Sequence, residues 1–76
     1  MKLMHESTVK NYDGLIDISV YVVNENKAKR YTYTLSSEFA AREFFSLYKR
    51  RKPGAALNFL KKNNINKPEK EVKQNE

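Results

Sequence analysis

Apolar and polar residues alternate along residues 15–23 (LIDISVYVV) and again along residues 29–35 (KRYTYTL). In the first run Ile16, Ile18, Val20 and Val22 point one way, and Asp17, Ser19 and Tyr21 the other. In the second, Tyr31, Tyr33 and Leu35 stand against Arg30, Thr32 and Thr34. Period-two alternation rich in β-branched and aromatic residues predicts two half-buried strands. Between them Asn24-Glu25-Asn26-Lys27 supplies a turn, since Asn tolerates left-handed backbone angles. If those residues form the loop, Val23 faces Ala28, Val20 faces Tyr31, Ile18 faces Tyr33 and Ile16 faces Leu35. The other side of the hairpin then pairs Tyr21 with Arg30, Ser19 with Thr32 and Asp17 with Thr34. A one-residue slip puts the two apolar sets on opposite faces; a two-residue slip does not, so the facing is set more firmly than the register.

Upstream, residues 7–12 (STVKNY) read as a short first strand with Val9 and Tyr12 inward, and Asp13-Gly14 as a turn that makes a three-stranded meander. Residues 1–6 read as a frayed end. Downstream, Ser36 sits where a helix cap belongs, and Glu38 complements the positive helix end. A helix over 37–51 places Ala40, Ala41, Phe44, Leu47 and Tyr48 on one face, with Phe45 beside them. Pro53-Gly54 breaks it and opens a second helix over 54–63, whose apolar face is Ala56, Leu57 and Leu60, with Phe59 adjacent. Asn63-Asn64 can close that helix through a left-handed residue, with Ile65 packing back on its last turn. In residues 66–76 (NKPEKEVKQNE) only Val72 is strongly apolar, which cannot offset the entropy of ordering, so a disordered tail is expected. The expected fold is α+β: a small antiparallel sheet of two to three strands, with the hairpin at 15–35, packed by a long helix (37–51) and a short one (54–63). Residues 7–65 form a single domain.

Composition narrows the function classes. With 76 residues the chain buries only about 60% of its unfolded surface, too little for both a large core and a deep cleft. It has no cysteine, hence no disulfide framework and no thiolate zinc site. No apolar stretch approaches the ~20 residues that cross a bilayer, and MKLMHESTVK lacks the apolar centre of a signal peptide, so an intracellular, cytoplasmic protein is expected. Only Gly14 and Gly54 are present, so there is no glycine-rich phosphate loop. His5, the one histidine, has Glu6 beside it but no further ligand or orienting partner. Asp13, Asp17 and Glu25 sit near the sheet without a pattern that brings two carboxylates to a defined separation. The expectation is a protein without enzymatic activity, cofactor or metal.

The net charge of +6 favours polyanions: nucleic acid, an acidic protein or an anionic membrane surface. Two cationic clusters stand out, Lys49, Arg50, Arg51 and Lys52 at the end of the first helix and Lys61 and Lys62 at the end of the second. Cations at helix C-termini are favoured by the helix dipole whatever else they do. Read functionally, they form a phosphate-binding patch with Lys29 and Arg30, and an outward Tyr21 beside Arg30 can stack a base. Tyr31 and Tyr33 face inward in the same register. A helix-turn-helix is disfavoured, because the second helix offers few outward base-reading side chains beyond Asn58, Lys61 and Lys62.

At Tyr31-Thr32-Tyr33 the chain resembles the lysyl-tRNA synthetase C-terminal domain family (KTSC), modules of about this size found alone in bacterial and phage proteins or appended to synthetases. Ser7-Thr8-Val9 followed by Tyr12-Asp13 looks like the family's opening, and Gly54 followed by Asn58 is similar to its closing motif. The family has a glycine in the turn before the YxY, where this chain has Asn26-Lys27-Ala28, and Val-Pro before the helix, where this chain has Leu35-Ser36. RNA binding is a role suggested for that family and is what the resemblance implies here. The leading expectation is a basic binding module for RNA or single-stranded nucleic acid, using Lys49, Arg50, Arg51, Lys52, Lys61, Lys62, Arg30 and Tyr21. The alternative is a protein–protein interaction module, such as a phage or mobile-element accessory protein, docking through the outer face or an edge of the sheet. Either would be a monomer or a weak dimer.

Overall fold

The computed structural model describes residues 1–66. Three antiparallel strands, β1 (Lys2–Lys10), β2 (Ile16–Asn24) and β3 (Lys27–Leu35), form one sheet in the order β1-β2-β3. Two helices follow, α1 (Glu38–Lys49) and α2 (Pro53–Asn63), and both pack on the same face of the sheet. The α+β architecture and the third strand agree with the sequence. The helices, however, are nearly equal at 12 and 11 residues. The predicted disordered tail lies, from residue 67 onward, outside the described residues.

The hairpin register is the one expected from a loop at Asn24 to Lys27, with Ile16 opposite Leu35, Ile18 opposite Tyr33 and Val20 opposite Tyr31. The turn is tighter than expected. Asn24 and Lys27 already pair, so only Glu25 and Asn26 form the loop, and it is Glu25 that takes the left-handed angle, at φ 50°. Two-residue hairpins need such an angle to match the strand twist. At the other turn the Asn11 carbonyl accepts from Gly14 and the Asn11 amide donates to Leu15, while Asp13 Oδ1 accepts from the Leu15 amide. Gly14 sits at φ 88°, where a side chain would be strained.

β1 departs most from expectation. It begins at Lys2, so residues 2–5 are paired with β2 rather than frayed. A β-bulge at Glu6 inserts one extra residue between the His5–Val20 and Ser7–Ser19 pairs. An inserted residue reverses the inward parity beyond it. Leu3 and His5 therefore face the helices before the bulge, and Thr8 and Lys10 after it. Val9, expected inward, is 51% exposed, and Tyr12 is fully exposed. Lys10 instead reaches the start of α1, where its Nζ lies 2.8 Å from Glu38 Oε2. That ammonium holds the Glu38 carboxyl below its ordinary value. Both side chains are more than half exposed, so the pair adds little stability.

The core lies between β2 and the helices. Ile16, Ile18, Val20 and Leu35 from the sheet meet Ala41 and Phe44 of α1 and Ala56, Leu57 and Leu60 of α2. Each large aliphatic or aromatic chain so buried contributes about 1.5–3 kcal/mol. The α1 cap is one residue later than expected: Ser37, not Ser36, accepts from the Ala40 amide at 3.3 Å. His5 belongs to the packing, its ring edge-on to Phe45 at 5.0 Å and its amide donating to the Tyr48 hydroxyl at 3.0 Å.

α2 ends without the left-handed residue expected there. Asn64 is extended, at φ −69° and ψ 116°, and Ile65 does not pack back. The chain instead docks on the outer edge of β3. Asn64 Oδ1 accepts from the Thr34 amide at 2.9 Å, and the Ile65 amide donates to the Thr34 carbonyl at 2.9 Å. Asn64 is only 8% exposed, and its Oδ1 also accepts from the Asn66 amide. Removing a buried acceptor leaves its donor unsatisfied, so Asn64→Ala is expected to cost about 1–3 kcal/mol in urea unfolding. Asn64→Asp keeps the acceptor and should recover part of that loss.

Candidate functional site

The eight predicted site residues fall into three places rather than one patch. Arg30 and Tyr21 are cross-strand neighbours on the face of the sheet opposite the helices. Lys61 and Lys62 lie in the last turn of α2. Lys49, Arg50, Arg51 and Lys52 form the α1–α2 connection at the other end of α2, about 14 Å away along an axis that rises about 1.5 Å per residue.

Arg30 is already engaged. Its guanidinium crosses β2, Nε donating to Glu6 Oε1 on β1 at 2.5 Å and Nη2 approaching Ser19 Oγ at 3.4 Å. The Glu6 hydrogen bond and charge hold the guanidinium protonated even more firmly than usual. Ser19 Oγ in turn lies 2.9 Å from Thr32 Oγ1. This strap ties all three strands together across the open face, and phosphate would have to displace Glu6 to use it. Tyr21 is half-buried between Met4 and Arg30, its cross-strand neighbours.

The α1–α2 connection is different. α1 closes in a Schellman turn: the Arg51 amide donates to the Tyr48 carbonyl at 3.0 Å and the Lys52 amide to the Leu47 carbonyl at 3.3 Å. Arg51 occupies the left-handed position, at φ 59°, where glycine is usual. The helix was expected to run through Arg51; it stops at Lys49 because those two amides turn back on its last carbonyls. α2 starts at once, with Pro53 in its first turn and no side chain capping it. Its positive dipole end therefore opens into the same cluster. Placing a side chain at a left-handed position costs backbone strain, so Arg51→Gly is expected to raise stability by up to about 1 kcal/mol, visible as a higher midpoint in thermal unfolding.

One cationic residue of this region was not predicted. Lys2, brought over by the pairing of β1 with Val23 of β2, joins Lys49 and Arg51 around a cleft of about 510 Å³ whose apolar wall is Leu3, Tyr48 and Pro53. Local pattern carries no signal for this, since Lys2 and Arg51 meet only through the packing of β1 beside the helices. Lys2, Lys49, Arg50, Arg51 and Lys52 are all exposed, and none makes an ion pair among the described residues.

The acidic residues weighed as chemistry serve the fold. Asp17 accepts from Thr34 Oγ1 at 2.7 Å and from Asn11 Nδ2 at 3.1 Å, and Asp13 caps its turn. Among the described residues no three His, Cys, Asp or Glu side chains gather where they could hold a metal ion. No helix among them is long and apolar enough to cross a membrane. No protein-family model matches the chain, and no curated protein or solved structure matches it.

Proposed function

We propose that this protein is a non-enzymatic module that binds RNA or single-stranded nucleic acid through phosphates at the α1–α2 connection. One observation carries the reading. Lys49, Arg50, Arg51 and Lys52, with Lys2 across the cleft, form a cationic cluster that no acidic side chain neutralises among the described residues. Backbone neutralisation by such clusters supplies most sequence-independent nucleic-acid affinity. The cleft favours single strands over duplex: its apolar wall of Leu3, Tyr48 and Pro53 can receive an unstacked base, which a paired strand does not offer. Arg51 adds to this, since a cation sits where glycine would relieve strain. The resemblance to the KTSC family points the same way. Lys61 and Lys62, in the last turn of α2, would meet a strand that leaves the cleft along that helix. Arg30 and Tyr21 are not needed by this path.

The test is an NMR titration of the labelled protein with short single-stranded RNA, and separately DNA, at two salt concentrations. Shifts are expected on Lys2 and on residues 49–55, fading steeply as salt rises. Arg51→Gly, expected to stabilise the fold, should weaken that binding. Silence at low salt, or shifts confined to the open face of the sheet, defeats the reading.

A further inference from the structure

A three-stranded open sheet has two edges, and this one treats them differently. The β1 edge is interrupted. The Glu6 bulge kinks it, and the Tyr48 hydroxyl takes up the outward His5 amide at 3.0 Å. Among the described residues the β3 edge is open over most of its length. Asn24 and Lys27 close a two-residue turn, so in β3 the residues Lys27, Lys29, Tyr31 and Tyr33 bond inward to β2. Ala28, Arg30, Thr32 and Thr34 then turn their amides and carbonyls outward. Thr34 confirms the parity, since its amide and carbonyl are the groups that Asn64 and Ile65 satisfy. Among the described residues no backbone or side chain does the same for the main chain of Ala28, Arg30 or Thr32.

We propose that this free edge, Ala28 to Thr32, accepts an extended acidic peptide as a fourth strand. Three features select that partner. A row of outward amides and carbonyls is satisfied by a strand and not by a helix. One rung of the ladder is already made by the chain itself, at Ile65 and Thr34, which shows the edge geometry is competent. Charge chooses the sequence. On the helix-side face β3 presents Lys27, Lys29 and then Tyr31, which is 40% exposed and stacked on Tyr33 at 6.2 Å. Cross-strand pairing favours acidic residues opposite the two lysines and an apolar residue opposite the tyrosine, at alternate positions of the added strand. A second copy of this chain is disfavoured: antiparallel self-pairing centred on the free rungs sets Arg30 against Arg30 or Lys29 against Lys29, and like charges directly opposite destabilise a sheet. This surface is separate from the α1–α2 connection, so it stands or falls independently of the nucleic-acid reading.

Amide hydrogen exchange on the full chain tests it, with a synthetic peptide in which Val, Glu and Glu alternate with Thr. In the free protein the Ala28, Arg30 and Thr32 amides should exchange faster than those of Lys29 and Tyr31. Saturating acidic peptide should slow these three by about tenfold or more, and the same peptide with Lys in place of Glu should not. The double variant Lys27→Glu and Lys29→Glu, at two exposed positions, should reverse that preference while keeping the native spectrum. Protection unchanged by the acidic peptide, or peptide shifts confined to Lys49–Lys52, overturns the proposal. So does protection of these amides that rises with protein concentration alone, which would seat a second copy on the edge.

Discussion

Phe44→Ala is expected to remove about 3–5 kcal/mol of folding stability, because truncating a buried aromatic loses its transfer free energy and leaves a cavity. Phe44 is 0% exposed and is the largest fully buried side chain among the described residues. It sits under Phe45 at 5.0 Å and is stacked with Tyr48 at 5.7 Å, and Tyr48 holds the β1 edge through His5. The cavity would therefore open where helix, sheet and β1 meet. At about 0.05–0.15 kcal/mol per residue the whole chain commands roughly 4–11 kcal/mol, so the variant should be largely unfolded at modest urea. Phe39 is the internal control. It lies on the same helix but is 69% exposed, and Phe39→Ala should change stability by less than about 0.5 kcal/mol. Urea unfolding followed by circular dichroism measures both, and equal midpoints for the two variants would contradict the placement of α1.

The second large effect concerns binding. Replacing Arg50, Arg51 and Lys52 together by alanine is expected to flatten the salt dependence of single-stranded RNA affinity. Each lost phosphate contact removes about 0.7 from the logarithmic slope, so three remove about 2. Affinity at low salt should fall by one to two orders of magnitude, at about 0.5–1 kcal/mol for each exposed charge contact. All three side chains are exposed, so the fold should survive, and removing the strained Arg51 side chain does not relieve φ, since alanine meets the same left-handed penalty. Fluorescence anisotropy across a salt series reads slope and affinity together. Matched substitution of Lys61 and Lys62 should cost less, because they stand at the far end of α2 from the cleft. An unchanged slope in the triple variant would remove the α1–α2 connection from the mechanism.

The acidic side of the cleft's neighbourhood is equally telling. The ion pairs among the described residues, Lys10–Glu38 and Arg30–Glu6, lie at the start of α1 and on the open sheet face, away from the α1–α2 connection. The positive charge there is thus left available, whereas Arg30, attractive in the sequence as a partner for Tyr21, is consumed in tying β3 to β1. Charge counted along a chain cannot make that distinction, because ion pairing joins residues far apart in sequence.

The sequence by itself determined the hairpin, its register, the apolar faces of both helices and the α+β class. The facing of the strands and helices depends on local periodicity, and the register on the loop placed at Asn24 to Lys27, so residues 15–35 and the stripes at Ala41, Phe44, Ala56, Leu57 and Leu60 were legible at once. Tertiary structure decided the rest. A single inserted residue at Glu6 turned Val9 outward and Lys10 inward, which no period-two reading of STVKNY could anticipate. Residues 2–5 carry too little apolar pattern to be read as a strand and become one because β2 offers them a partner. The Schellman turn ended α1 at Lys49, the first residue of its cationic run, and presented Arg51 in a left-handed angle, since backbone closure outweighed the side chain's preference. Docking of Asn64 and Ile65 on Thr34 closed one end of the β3 edge and left the rest without a partner among the described residues. The candidate cleft itself, Lys2 beside Lys49 and Arg51, exists only because β1 lies next to the end of α1, a contact between residues some fifty positions apart that local chemistry does not encode.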